Sequence, residues 1–170
     1  MRTRIIGELA SNHGGDLELA KDLIAACADY GADAVKVQAY QTKYLASADP
    51  QHAWLRAAEL SEANLAHLHD FARGHKLDFL VSVFDVERAR FVKSLGCRDV
   101  KIGSGEIRRL ALISTCIALF DVVWLGAGVD PRRAVRLTVD HPNVRPVFGV
   151  SQYPAPSVYE RGELAGSAIL

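Results

Sequence analysis

The sequence predicts an α/β protein whose strands run parallel. Three observations carry that expectation. Strand-like apolar runs alternate with helical stretches about six times along the 170 residues, the succession that right-handed βαβ units produce. The runs near Ile5 and Val147 are rich in Val, Ile and Phe, the composition of buried strands. Polar side chains able to do chemistry collect at the predicted strand ends, where parallel α/β proteins place their sites.

Residues 4–9 read as the first buried strand. Asn12-His-Gly-Gly is loop chemistry, and Asp16 can cap a helix over 16–30, with Leu19, Leu23, Ala26, Cys27 and Tyr30 on one face and Gly31 ending it. Residues 34–39 form the second strand, Val35 and Val37 on one face, Lys36 and Gln38 on the other. A long connection over 40–60, with a short helix around 51–59, follows; loops of this length after a strand are usually functional. Ser61 starts a helix that runs to about Arg73, and 78–83 is the third strand. Residues 86–95 are helical, with Ala89, Val92 and Leu95 facing inward. The fourth strand lies near Lys101, and Leu110–Leu119 is an apolar helix. Val122–Leu125 is a strand leading into Gly126-Ala-Gly128, and Asp130-Pro131 opens another helix, proline being favourable in the first turn. Residues 144–150 form the last clear strand, and 157–170 carries no assignment.

Composition sets bounds. The chain is expected to be one domain over 1–170, with 49% apolar and 24% charged residues and a formal net charge of zero. That balance gives no support to nucleic-acid or anionic-membrane binding. No run is long enough for a membrane helix, and no signal peptide is expected. Cys27, Cys97 and Cys116 have no zinc spacing and point to a reducing cytoplasm, each as a small buried apolar group.

The chemistry centres on Asp99-Val-Lys-Ile-Gly-Ser-Gly-Glu106. Val100 and Ile102 alternate with Lys101 and Gly103, so Lys101 sits inside a strand. A lysine there is costly without a partner or ligand. Lys101, Ser104 and nearby N–H groups could grip a phosphate; equally, Lys101 could lie on a solvated face paired to Glu106. Glu8 and Glu106 are acid/base candidates, and Glu8 could instead simply pair with Lys36 to tie two strands together. His13 could serve as ligand or acid/base, or only hydrogen-bond the backbone. Asn12, Gln38, Ser82, Ser151 and Tyr153 complete the polar set at the strand ends. Two lysines with several hydroxyls suit a small phosphorylated or carboxylated molecule.

Lys101-Ile-Gly-Ser-Gly-Glu106 resembles the Lys-Ile-(Ala/Gly)-Ser-Gly-Glu signature of the sialic acid synthase (N-acetylneuraminate synthase, NeuB-like) family. Ile5-Ile-Gly-Glu-Leu-Ala-Ser-Asn-His-Gly-Gly-Asp16, Gly31-Ala-Asp-Ala-Val-Lys-Val-Gln38, Phe79-Leu-Val-Ser-Val-Phe-Asp85 and Val150-Ser-Gln-Tyr-Pro-Ala-Pro156 resemble further family segments in the same order. The resemblance implies condensation of phosphoenolpyruvate with an amino sugar, and a (β/α) TIM-barrel-like fold. A full barrel needs about 250 residues, so an incomplete barrel of about six βα units is expected, its open edges covered by the tail or by a second copy. A doubly wound open sheet is the alternative.

The resemblance also implies roles. Lys101 and Ser104 match residues that hold the phosphoenolpyruvate phosphate, and Ser82 stands where a threonine usually does the same. Lys36 and Gln38 match positions near the phosphoenolpyruvate and sugar, and Glu8 matches a catalytic glutamate. Departures accompany these matches. Phe148, in Val147-Phe-Gly-Val-Ser151, replaces a metal-binding histidine; the second metal histidine and the C-terminal sugar-binding domain lie beyond this chain; Gly126-Ala-Gly128 replaces a Ser-Thr-Gly. Phenylalanine cannot ligate a metal, so no metal site and a divergent, metal-independent synthase, aldolase or lyase is expected, with Lys36 or Lys101 as a conceivable Schiff-base amine. The other class of function is a non-catalytic binding or partner protein on the same fold. A homodimer with an interface including 145–170 is expected from the open edges.

Overall fold

The computed structural model describes residues 3–44, 48, 50–149 and the backbone of 168–169. They belong to two compact units, Met1–Cys97 and Arg98–Leu170. No helix among the described residues is long and apolar enough to cross a membrane.

In the first unit, strands β1 (Ile6–Ala10), β2 (Ala34–Ala39) and β3 (Asp78–Val83) pair side by side, all parallel. Helix α1 (Leu17–Asp29) packs on β1 and β2, and α3 (Glu62–Gly74) and α4 (Val86–Ser94) pack on β3. The helix starts are written in the sequence: Asp16, Ser61 and Asp85 each accept a backbone N–H of the first turn, satisfying donors a helix cannot satisfy itself. Val35, Val37, Val81 and Val83 are fully buried, so one face of the sheet is the core.

Helix α1 does not present the face that its spacing predicts. Leu19 is 42% and Tyr30 93% exposed, while Ala20 and Ile24 are fully buried. The helix is turned by about one residue, which brings the small Ala20 to the buried side, where a helix can then pack closely. A second departure is Arg88 on α4, which is buried. Its guanidinium faces Glu62 at 3.4 Å and Glu59 at 3.9 Å and donates to Leu60 O at 3.4 Å, so the charge is matched where it is desolvated.

The long connection after β2 is tied down at several points. It holds a 3-10 turn (Thr42–Tyr44) and the short helix α2 (His52–Ala57). The Thr42 N–H and hydroxyl both donate to Glu59 Oε2, at 3.0 and 2.5 Å, and the Tyr40 hydroxyl donates to Leu55 O at 2.8 Å.

In the second unit, β4 (Asp99–Ile102), β5 (Val122–Gly126), β6 (Val144–Phe148) and the two-residue β7 (Ala168–Ile169) are parallel neighbours. Helix α5 (Leu110–Leu119) packs on β5 and α6 (Pro131–Asp140) on β6, with Asp130 as cap and Pro131 in the first turn. The Asn143 side chain donates to Ile117 O and Phe120 O, both at 2.9 Å, closing the end of α5. β6 stops at Phe148, before the predicted end at 150. The expected succession of about six βα units is present, and β7 adds a strand where none was assigned. Ser151, Tyr153 and most of the expected 145–170 interface lie outside the described residues.

Candidate active site

In the first unit, β1, β2 and β3 set Glu8 beside Lys36 and Gln38 beside Ser82 in register. Period two puts Lys36 and Gln38 on one face, opposite the valines. Lys36 is 4% exposed and ion-paired to Glu8, whose carboxylate remains half exposed; Lys36 Nζ also lies 3.4 Å from Ser82 Oγ. The pairing that would tie two strands together therefore exists. It leaves a cation held on the strand face with one side of its counter-ion in solvent.

The β1 strand ends in an irregular step between Glu8 and Ala10, where Ala10 takes a positive φ and donates its N–H to Glu8 Oε1 at 3.0 Å. This turn carries Ser11, Asn12 and His13. Asn12 is exposed. His13 is only 2% exposed, and its Nδ1 accepts the Gly15 N–H at 3.0 Å. The neutral ring must then carry its proton on Nε2, which has no hydrogen-bond partner among the described residues. Burial pushes its pKa below the ordinary value. Gly15 is required at its position: φ is +94°, and a Cβ would meet Ala57 O at 2.1 Å.

In the second unit, Lys101 and Ser104 line a cleft with Val147, Phe148, Gly126, Gly128 and Gly149. The cleft opens at the C-terminal ends of β4, β5 and β6, as expected of a site in a parallel sheet. Trp124 neighbours Lys101 in register and donates to Asp99 Oδ2 at 3.3 Å. Glu106 is ion-paired with Arg109. A lysine, a hydroxyl and glycine backbone suit an anion with several oxygens. Among the described residues, the cleft lining contains no imidazole or carboxylate, and at the β6 end it offers the phenyl ring of Phe148. These residues do not fit the divalent metal that the family resemblance implies.

The structure thus brings Glu8, Lys36, Gln38 and Ser82 together in one unit and Lys101 and Ser104 together in the other. It also reveals residues that the sequence reading passed over. Ser11 is a buried polar group against Gln38, Tyr40 a buried one against Ser11, and Trp124 flanks Lys101. Tyr40 was legible in principle: it continues the Lys36, Gln38 period of two.

The family model described as NeuB family matches residues 23–158. An N,N'-diacetyllegionaminic acid synthase from Legionella pneumophila is 33% identical over 86% of this chain and 45% of its own length. One from Campylobacter jejuni is 30% identical over 91% of this chain and 53% of its own. A solved N-acetylneuraminic acid synthetase of Leptospira borgpetersenii, in complex with citrate, superposes with a TM-score of 0.82 at 26% identity, over 92% of this chain and 57% of that one. The chain belongs to the NeuB family. Its fold is of the shortened (β/α)-barrel type, and it spans about half the length of the curated relatives it matches.

Proposed function

We propose that the protein binds phosphoenolpyruvate or a related small phosphorylated 2-oxo acid in the Lys101–Ser104 cleft, as part of a synthase-type condensation with a sugar aldehyde. The observation that carries this reading is the cleft itself, a lysine and a serine facing three glycines at strand C-termini. Membership of a family of synthases supports it, as does the Leptospira relative holding citrate, another small polyanion.

In the proposed reaction, C3 of phosphoenolpyruvate attacks the aldehyde carbon, whose oxygen takes up a proton; water adds at C2, and phosphate leaves. Lys101 counters the phosphate charge and Ser104 donates to its oxygens. In the first unit, Lys36, held by Glu8 and Ser82, is a separate fixed cation.

Calorimetry with phosphoenolpyruvate tests the reading. Lys101→Ala should abolish measurable binding, since a charged hydrogen bond contributes about 1.5–3 kcal/mol. Lys76→Ala, at an exposed position, should leave it unchanged. Equal affinity in wild type and Lys101→Ala would overturn the assignment.

A further inference from the structure

Between Gln38 and the backbone of α2 stand two buried hydroxyls. Ser11 Oγ lies 3.3 Å from Gln38 Oε1 and 3.4 Å from Tyr40 Oη, and the Tyr40 hydroxyl donates to Leu55 O at 2.8 Å. Ser11 is 3% and Tyr40 4% exposed, so neither hydroxyl has bulk water as an alternative partner. Proton counting then restricts the arrangement. Tyr40 has one proton, and Leu55 O takes it. Its oxygen can only accept, and Ser11 is the donor in reach. Ser11 also has one proton; once given to Tyr40, none remains for Gln38. What Ser11 Oγ needs from Gln38 is therefore a donor, and the terminal amide supplies one when it is turned over so that its NH₂ group takes the place of Oε1. Oxygen and nitrogen of a glutamine amide are told apart by such networks, not by shape.

We infer that the four groups form a one-way relay, Gln38 Nε2–H to Ser11 Oγ–H to Tyr40 Oη–H to Leu55 O, in which Ser11 and Tyr40 are positioning residues that fix which end of the Gln38 amide faces the ligand. Both hydroxyl protons are then bonded and each hydroxyl oxygen accepts one hydrogen bond, whereas with the opposite amide orientation Ser11 has one proton for two acceptors. The consequence is chemical. Gln38 presents its carbonyl oxygen outward, so this position selects a ligand group that donates, an O–H or an amide N–H. The choice of ligand rests on the proposed function and on the family resemblance that puts Gln38 near the phosphoenolpyruvate and sugar; the amide orientation does not. The relay also ties Gln38, through Ser11 and Tyr40, to the backbone of α2 in the long connection after β2.

Nuclear magnetic resonance of ¹⁵N-labelled protein tests this without turnover. The Gln38 side-chain amide is assigned by its disappearance in Gln38→Met. In wild type one of its two protons should be shifted downfield, with exchange slowed several-fold relative to the exposed amides. Ser11→Ala should abolish that signature. Tyr40→Phe should abolish it as well, because Ser11 regains its proton for the Gln38 oxygen and the amide turns over. Tyr30→Phe, at a fully solvated ring, should change nothing. A wild-type Gln38 amide with no bonded proton overturns the relay even if a variant fails to fold, and so does a bonded proton that persists in Tyr40→Phe. A protein that shows the relay but binds no phosphoenolpyruvate supports the amide orientation and retires the proposed function.

Discussion

Gly126 approaches Ser104 so closely that a Cβ on it would meet the Ser104 amide nitrogen at 2.5 Å and its Cα at 2.9 Å. The obstruction is backbone and cannot rotate away. Glycine at the end of β5 is thus what lets the Gly103–Ser104 turn sit against that strand. Gly126→Ala should displace the turn and cost about 1–3 kcal/mol, the range for overpacking. Urea unfolding should show the loss, and phosphoenolpyruvate affinity should fall with it. An alanine variant of unchanged stability and affinity would mean that the turn yields freely and does not shape the cleft.

This contact shows what was legible in the sequence and what was not. Compared with its family pattern, Gly126-Ala-Gly128 reads as lost hydroxyls; the steric need for Gly126 arises only when β5 lies beside the turn. Features that depend on neighbours in sequence were legible: the caps at Asp16 and Ser61, Pro131 at a helix start, and the shared face of Lys36 and Gln38. Features set by distant partners were not. The inward face of α1 is decided by how closely Ala20 can pack, and Arg88 is buried because Glu59, Glu62 and Leu60 surround it. The Ser11–Tyr40–Leu55 contacts join three segments with no common motif. The anion-site residues were legible as a set through the Lys-Ile-Gly-Ser-Gly-Glu signature, but the pairing of Glu106 with Arg109 was not.

The Glu8–Lys36 pair should respond asymmetrically to mutation. Lys36 is the buried partner, and Glu8 has access to water. Glu8→Ala leaves Lys36 desolvated with Ser82 as its remaining partner among the described residues, a loss of about 1–3 kcal/mol or more. Lys36→Met replaces the charge with an apolar chain of similar length and leaves a carboxylate that water can solvate, so its cost should stay below about 1 kcal/mol. Thermal unfolding of both variants decides the point. Equal losses would mean that the pair acts as an ordinary surface bridge.

The last prediction concerns pH and rests on His13. Its ring is buried, its Nδ1 is occupied by the Gly15 N–H, and desolvation holds its pKa below the ordinary 6.5. In the unfolded chain the same imidazole titrates near the ordinary value. Above about pH 6.5 both states are neutral, and His13 adds no pH dependence. Below it the unfolded chain gains a proton that the folded chain resists, so stability falls as pH drops. The slope is at most about 1.4 kcal/mol per pH unit for one proton, and it persists down to the folded pKa. Other groups titrate in the same range, so the informative quantity is the difference between wild type and His13→Asn. Asparagine keeps an acceptor for the Gly15 N–H and removes the titrating ring. Urea midpoints at pH 7.5 and 5.5 should show wild type losing more stability than His13→Asn. A His13 that worked as a charged acid in the folded protein would reverse the sign, with wild type gaining relative stability at pH 5.5. Identical pH slopes in the two proteins would show that the ring titrates as freely folded as unfolded, and the neutral, buried imidazole would have to be abandoned.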